Sequence, residues 1–511
     1  MHPMTSSNHL FDGLSAGRSG EDRTFMRMED DGVWSYNDTF TLAARMANTL
    51  IDRGVRSGDR VVVQAEKSPE AVALYLACIM SGAVFLPLNT AYTASEVAYF
   101  IGDAEPTVVV CDPSRDHEVL PLCRTADAEL LTLGRDGGGT LAASSAQASS
   151  EFATVARGPN DLAAILYTSG TTGRSKGAML SHDNLLSNAL ALQDIWQFSG
   201  EDVLIHALPI YHAHGLFVGI NVTLTVGASI VFLPRFNTEQ IIAQLPGATA
   251  MMGVPTYYTR LLAQPDFTAE TTSHMRVFIS GSAPLLAETH AEFEARTGNR
   301  ILERYGMTET TMIASNPYCG ERRAGAVGFP LPGVDLRICA PDTGTEVVDG
   351  EIGVIEVRGP NVFQGYWRQP DKTAEEMSED GYFRTGDLGR FDADGYLHIV
   401  GRGKDLIISG GFNIYPKEVE TEIDAVDGVA ESAVIGVPHP DFGEGVVAVV
   451  VSLPDAFLDE VEITAVLADK LARFKLPKRI FFTPELPRNA MGKVLKNELR
   501  QEHAEALTGD Q

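Results

Sequence analysis

Cysteine is scarce, positive charge is outnumbered, and long apolar runs are missing. Five cysteines (Cys78, Cys111, Cys123, Cys319 and Cys339) are scattered through 511 residues, odd in number and without metal-ligand spacing. That is the pattern of reduced cytosolic thiols, not of a disulfide framework or a structural zinc site. Lys and Arg total 40 against 68 Asp and Glu, a formal charge of −28, which argues against non-specific nucleic-acid binding and against a basic membrane-binding face. An anionic substrate therefore needs locally placed cations. No uninterrupted apolar run approaches the ~20 residues that span a bilayer. Residues 1–8 hold no basic segment followed by an apolar core, so no secretory signal is expected and the expected location is cytoplasmic.

What is present is the composition of a soluble globular protein, 44% hydrophobic and 21% charged, in a chain too long for one compact core. Between residues 33 and 111 helical and strand patterns alternate: helix at 39–53, strand at 60–64, helix at 68–80, strands at 84–88 and 108–111. This alternation predicts α/β layers with parallel strands, and Tyr75, Leu76 and Met80 as core residues. The Gly-rich, then Ala/Ser-rich stretch 134–150 reads as a mobile connection.

The first stretch carrying chemistry is Thr168-Ser169-Gly170-Thr171-Thr172-Gly173-Arg174-Ser175-Lys176-Gly177, led in by the apolar run 162–167. Glycines let backbone amides turn toward an anion, hydroxyls add donors and cations supply charge, so it reads as a phosphate-holding loop, with a polar surface loop as the alternative. It is not a Walker loop, because Lys176 follows Ser175 and precedes Gly177. Ser181 and its neighbours can cap a following helix. An apolar strand at 204–208 then leads to Tyr211, His212 and His214. These do not make a zinc site, but His212 can line a substrate pocket. Arg235 follows a strand at 229–233, where open α/β sheets bind ligands; a solvated arginine is the alternative.

Four further segments repeat the theme. Strand 277–280 runs into Gly281-Ser282-Ala283-Pro284, a turn with exposed amides suited to a base, or simply a strand-to-helix turn. Tyr305-Gly306-Met307-Thr308-Glu309 offers a ring to stack, a hydroxyl for phosphate and a carboxylate for a hard cation, although Thr-Glu also caps helices. Asp387, set between Gly386 and Gly389, can accept from two vicinal hydroxyls or sit in a hairpin turn. Residues 401–405 are rich in glycine and charge and mark a boundary, after which residues 419–482 read as a small α+β module. Near its end Lys493 follows Gly492 in a loop.

Together these segments resemble the adenylate-forming superfamily of acyl-CoA synthetases, firefly luciferase and nonribosomal peptide adenylation domains, over residues 35–496. The resemblance implies an α/β fold: a large N-terminal α/β-layered domain, residues 1–403, binding ATP and acid, and a small mobile C-terminal α+β domain, residues 404–511, hinged at Lys404. It implies that Thr168, Ser169, Gly170, Thr171, Thr172, Gly173 and Lys176 embrace the ATP phosphates. Gly281, Ser282, Ala283 and Pro284 would border adenine, Tyr305 stack on it, and Asp387 and Arg402 bind ribose. Glu309 would hold Mg²⁺, Thr308 touch phosphate, and Lys493 be the catalytic lysine. Gly410 and Gly411 would border the coenzyme A tunnel.

Within the superfamily the likeness is greatest to malonyl-CoA synthetases, through residues 204–216, 275–282 and 304–310. It implies a small dicarboxylic acid partner, with Arg235 clamping its second carboxylate and His212, Ser280 and Met307 shaping a small pocket. Malonate-using members often carry Asn at position 311, where this chain has Thr311, which leaves methylmalonate or another short acid open. A medium-chain or aryl acid is the alternative substrate. No carrier-protein domain follows Gln511, so coenzyme A is the expected acceptor.

Overall fold

A computed structural model describes residues 7–17, 22–29, 32–168, 175–341, 343–410, 412–454, 456–468, 470–489 and 492–507. The α/β layering expected from the alternating patterns is present in a large N-terminal domain followed by a small C-terminal one. Several elements coincide with their sequence signals, among them strands Arg60–Gln64, Val108–Cys111 and Arg479–Phe482. Helix Tyr36–Asp52 begins three residues earlier than its periodicity suggests. Ser35 accepts from the Asp38 N–H while Asp38 accepts from the Ser35 N–H, a reciprocal cap that fixes its start. Helix Pro69–Ser81 is buried at every position but Glu70 in its first turn, with Ser68 as its cap. Tyr75 lies in its middle, fully buried, with its hydroxyl donating to Asn221.

Among the described residues a nine-stranded sheet runs, edge to edge, Phe329–Pro330, Thr311–Ser315, Ile301–Met307, Val277–Ser280, Ala250–Gly253, Val203–His206, Ser229–Phe232, Thr24–Met28 and Val33–Ser35. Its six central strands are parallel and its edges antiparallel. A second sheet orders Glu129–Thr132, Val108–Cys111, Arg60–Gln64, Val84–Pro87, Leu162–Thr168 and Lys176–Ser181, parallel except for the last strand. One apolar core joins both sheets through the two helices above. A four-stranded antiparallel sheet, from Asp335–Cys339 to Leu397–Arg402, follows. Every strand of the remaining five-stranded sheet lies after residue 406, around helices Pro416–Asp424 and Glu460–Ala468. No helix of the described residues is long and apolar enough to cross a membrane.

The stretch read as a mobile connection is partly helical. Thr140–Gln147 forms a helix with Leu141 buried and Ser145 bonded to Thr49, 3.1 Å between their hydroxyl oxygens. Alanine favours helix even beside a glycine run, and contact with helix Tyr36–Asp52 settles the matter.

Parallel strands bring their C-terminal ends to one edge, where the loops carrying the candidate residues emerge. Strand Ile301–Met307 passes its bulge there, between Tyr305 and Gly306. A Cβ at Gly306 would fall 1.9 Å from the Thr311 carbonyl oxygen and 2.8 Å from Met312 Cα, both backbone atoms. Gly306→Ala is therefore expected to destabilise the ligand-free protein by about 3 kcal/mol or more, read from the denaturant midpoint; a shift within error would show that the bulge relaxes freely.

Candidate active site

The residues expected around adenine and ribose form one connected unit. Tyr305, near the end of its strand, donates its hydroxyl to Asp387 Oδ2 at 2.6 Å. Asp387 sits within strand Phe383–Phe391, not in a hairpin turn, and its register partner is Arg402, whose Nε lies 2.6 Å from Oδ1. Burial and the Asp387 charge push the Tyr305 phenol well up, so it remains a donor.

Lys493 is brought to the same place from the C-terminal domain. Although the residue keeps an exposed surface, the protein packed around its ammonium and the Arg402 guanidinium push it down to about 8, against the opposing pull of Asp387. Its loop is closed by Asn489, which accepts from the Lys493 N–H at 3.0 Å and donates its own to the Lys493 carbonyl at 2.9 Å. Gly492, at a left-handed φ of +76°, rests against Thr256: a Cβ would lie 3.3 Å from its Oγ1. Lys404 lies in the 3₁₀ turn Gly403–Asp405 that joins strand Leu397–Arg402 to the C-terminal sheet. Asp405 of this turn is held by Arg500 at 2.6 Å.

A second group surrounds Glu309. Tyr366 Oη lies 3.0 Å from Glu309 Oε1 and 2.6 Å from Glu376 Oε2, so one hydroxyl links two carboxylates. Lys176 Nζ lies 2.9 Å from Glu376 Oε1 and 4.1 Å from the Tyr366 ring centre. Burial pushes the Glu309 carboxyl up, a cost that a bound cation would offset. Among the described residues no group of three His, Cys, Asp or Glu side chains could hold a metal. A single buried carboxylate suits Mg²⁺, which commonly binds through one or two carboxylates plus phosphate oxygens. Thr168 pairs with Lys176 across the antiparallel strands. Thr308 is half-buried in the turn after Met307. Ser169, Gly170, Thr171, Thr172, Gly173 and Gly411 lie outside the described residues, and Gly410 sits at φ +60° beside Phe442.

The acid-binding candidates do not converge in the same way. Arg235 is exposed after strand Ser229–Phe232, with no hydrogen bond or ion pair among the described residues, and its neighbour Phe236 stacks on Tyr257 at 4.1 Å. His212 lies against the Tyr211 ring, and burial pushes it down to about 4, leaving a neutral imidazole. Ser280 pairs in register with Glu303, and strand alternation sets it on the face of Phe278, toward the outer cluster with Tyr258 and Phe293. Met307 is half-buried at the strand end. In the turn Gly281–Pro284, Ser282 takes a left-handed φ of +74°. Sequence reading passed over Tyr366 and Glu376, which carry no local signal, and it gave no site role to Arg304 or His214, whose burial beside the turn emerges only in three dimensions.

In the ligand-free protein Lys493 is expected to titrate near 8, not at the ordinary 10.5, and Arg402→Gln to raise that value by removing the nearest repulsive cation. The pH dependence of the lysine ¹³Cε shift measures both. An ordinary value in both proteins would show that the loop does not sit over Asp387 in solution.

Two family descriptions match the chain: AMP-binding enzyme over residues 15–367 and AMP-binding enzyme C-terminal domain over residues 418–493. Feruloyl-CoA synthase of an Amycolatopsis species is 36% identical over 472 residues, covering 91% of this chain and 93% of its own. Malonate–CoA ligase of Arabidopsis thaliana is 34% identical over 484 residues, covering 88% and 78%. ATP-bound MatB from Rhodopseudomonas palustris superposes with a TM-score of 0.97 at 57% identity, over 98% of this chain and 100% of the other. The apo crystal structure of MatB from the same organism gives 0.86 over the same shares, also at 57% identity. On the extent of these matches, the chain belongs to the AMP-binding enzyme family, the adenylate-forming superfamily that its ordered motifs resemble.

Proposed function

We propose that the protein is an ATP-dependent acid–thiol ligase that activates malonate, or methylmalonate, as an acyl-AMP with release of pyrophosphate. It then transfers the acyl group to coenzyme A, giving malonyl-CoA and AMP. The observation that carries this reading is the placement of Lys493 in the field of Asp387 and Arg402, the pair that also takes the Tyr305 hydroxyl, in a chain that superposes on ATP-bound MatB with a TM-score of 0.97. The likeness to malonate–CoA ligases of Arabidopsis thaliana and Bos taurus, at 34% and 33% identity, supports the choice of acid. The likeness to feruloyl-CoA synthase favours a second reading, a synthetase for an aryl acid.

A carboxylate is a poor acylating agent, so its oxygen first attacks the α-phosphorus of ATP. Two anions must approach one another, and the chain's task is to place cations and donors where charge accumulates. The Tyr305 ring and the turn Gly281–Pro284 would hold adenine, and Asp387 and Arg402 the ribose hydroxyls. Thr308 and the loop from Thr168 to Lys176 would take the phosphates, with Lys176 exchanging Glu376 for a phosphate oxygen. Mg²⁺ on Glu309 would supply further neutralisation of phosphate charge. Lys493, cationic below about pH 8 and more readily so beside bound phosphates, stabilises the first transition state. The thiol of coenzyme A then attacks the mixed anhydride and expels AMP, a step with no task for Lys493. Residues 404–511 would pivot at Lys404 between the two steps and present Gly410 and Gly411 to coenzyme A. A cytoplasmic location fits the five free cysteines, four of them buried.

Thioester formation measured across malonate, methylmalonate, succinate, acetate, a fatty acid and ferulate is expected to favour malonate or methylmalonate; a preference for ferulate would establish the aryl reading. Lys493→Ala is expected to lose adenylation by about 10²-fold or more while retaining thioester formation from supplied malonyl-AMP. Equal loss in both half-reactions would sink the division of labour. Thr311, the departure noted above, sits at a left-handed φ of +50°, buried, with its hydroxyl donating to the Thr310 carbonyl at 2.6 Å. Asn tolerates that conformation better than a β-branched residue, so the difference is one of backbone comfort. Thr311→Asn should leave the ratio of malonate to methylmalonate kcat/KM unchanged; an altered ratio would place position 311 in contact with the acid.

A further inference from the structure

A cation taken out of water ordinarily has a carboxylate beside it, because an ammonium or guanidinium buried without one is strongly disfavoured. Arg276 has one, with Nε and Nη2 at 2.6 and 2.8 Å from the two oxygens of Asp202. Arg304, whose Nε and Nη2 have no hydrogen-bond partner, lies against Gly281 in the site already described. Lys67 is a third case. It is buried just beyond strand Arg60–Gln64, and burial pushes its ammonium well down with no carboxylate to oppose it. Its Nζ is given to one histidine, 2.8 Å from His206 Nδ1 and 2.8 Å from the His206 carbonyl oxygen, and lies 4.4 Å from the centre of the Phe232 ring. His206 ends strand Val203–His206 in the other large sheet, so the contact ties the two sheets together.

The partners of His206 fix its tautomer. Nε2 lies 2.8 Å from the Gly215 carbonyl oxygen, which can only accept, so Nε2 carries the hydrogen. Burial first, then the Lys67 charge, pushes the imidazole down to about 3, so the ring is neutral and Nδ1 is an acceptor. Lys67 therefore donates to His206, and His206 donates onward to Gly215. The chain of donors ends in the turn His214–Ile220, which is π-helical: the Ala213 carbonyl accepts from both Phe217 and Val218, each at 2.9 Å. Such turns are rare and concentrate at functional sites. The His206 ring fills the room that a side chain at Gly219 would need, since a Cβ there would fall 2.8 Å from both Cδ2 and Nε2. Just past the turn, Tyr75 of helix Pro69–Ser81, the helix that begins after Lys67, donates to Asn221 Oδ1 at 3.2 Å. At the start of the turn His214 Nδ1 lies 3.3 Å from the Oγ of Ser282, in the turn Gly281–Pro284.

We propose that Lys67 and His206 are positioning residues for the acid site: by donating through His206 to Gly215, Lys67 holds the turn His214–Ile220 in its π-helical form, and so fixes where His212 and His214 stand and how large an acid fits beside them. The role lies in the direction of the hydrogen bonds and not in a charge offered to the substrate. Without the Lys67 donor, Nδ1 is a buried acceptor left unpaired. The ring is then free to turn away from Gly215, and the segment relaxes toward the ordinary α-helical pattern, which rotates the rest of the turn about its axis. The proposal rests on the reading above in which His212 lines the acid site.

The test uses the full chain as wild type, Lys67→Met, His206→Leu and the double variant, with malonate and ethylmalonate as acids. Lys67→Met is expected to raise malonate KM by about 10-fold or more, to move ATP KM far less, and to raise the kcat/KM of ethylmalonate relative to malonate. His206→Leu is expected to do the same. The double variant should lose no more than either single one, since one chain of donors is broken only once. In the ligand-free protein, amide hydrogen exchange across residues 214–220 should quicken in both single variants, and the ring ¹⁵N shifts of wild-type His206 should report the neutral Nε2–H tautomer. That last measurement needs no variant to fold, and the opposite tautomer or an imidazolium would overturn the proposal by itself. So would additive losses in the double variant, or a raised malonate KM with unchanged exchange, which would make Lys67 a charge acting on the acid. A wild type that forms no malonyl thioester would instead overturn the reading of function, while the exchange and ¹⁵N results still decide whether Lys67 and His206 hold the turn.

Discussion

The ion pair between Asp387 and Arg402 is the constraint on which the rest of the site depends. It joins two neighbouring strands of the antiparallel sheet, takes the Tyr305 hydroxyl from the end of a parallel strand, and sets the local field for Lys493. Arg402 also stands two residues before Lys404, so the geometry of the proposed ribose site and of the connection to the C-terminal domain share one short segment.

The net charge of −28 makes the local placement of cations decisive. At physiological ionic strength the Debye length is about 8 Å, so distant acidic groups are screened while partly buried groups feel their immediate neighbours. Lys176, Arg304 and Arg402 are each wholly or partly removed from solvent, where a charge is worth more than on the surface. An acidic exterior and a basic interior site are thus compatible, and the composition that argues against nucleic-acid binding says nothing against binding ATP.

Legibility in the sequence followed the range of the forces involved. Strands such as Arg60–Gln64 and the capped helix from Ser181 are written in neighbouring residues, by period and by capping chemistry, and both are found. The helix Thr140–Gln147 was obscured because its stability comes from packing on a segment about a hundred residues away. Tyr305, Asp387, Arg402 and Lys493 were each singled out from local glycine-rich context, yet nothing local says that they meet. Tyr366 and Glu376 were invisible for the complementary reason: their importance consists wholly of contacts to Glu309 and Lys176. Arg304 stood in plain view next to Tyr305, but its defining property is the lack of a partner, and a missing contact has no sequence signature.

That lack belongs to a broader pattern in which the ligand-free site is held in an unfavourable state by the fold around it. Arg304 is buried without a counter-charge, Glu309 has its carboxyl raised by burial, and Ser282 and Thr311 are held at left-handed φ. The left-handed residues and the unpartnered guanidinium each cost stability on the order of 1–3 kcal/mol, and all four groups lie within a few residues of strand Ile301–Met307 or of the turn facing it. The extensive core joining both large sheets is rigid enough to hold them there. Ligands then meet groups that need no reorganisation, so the cost is met in folding instead of at the moment of reaction. The same reasoning makes binding and stability two views of one quantity. A nucleotide or acid that supplies the missing charges binds the folded chain alone, and stabilises it by mass action in proportion to how badly the empty site lacked them.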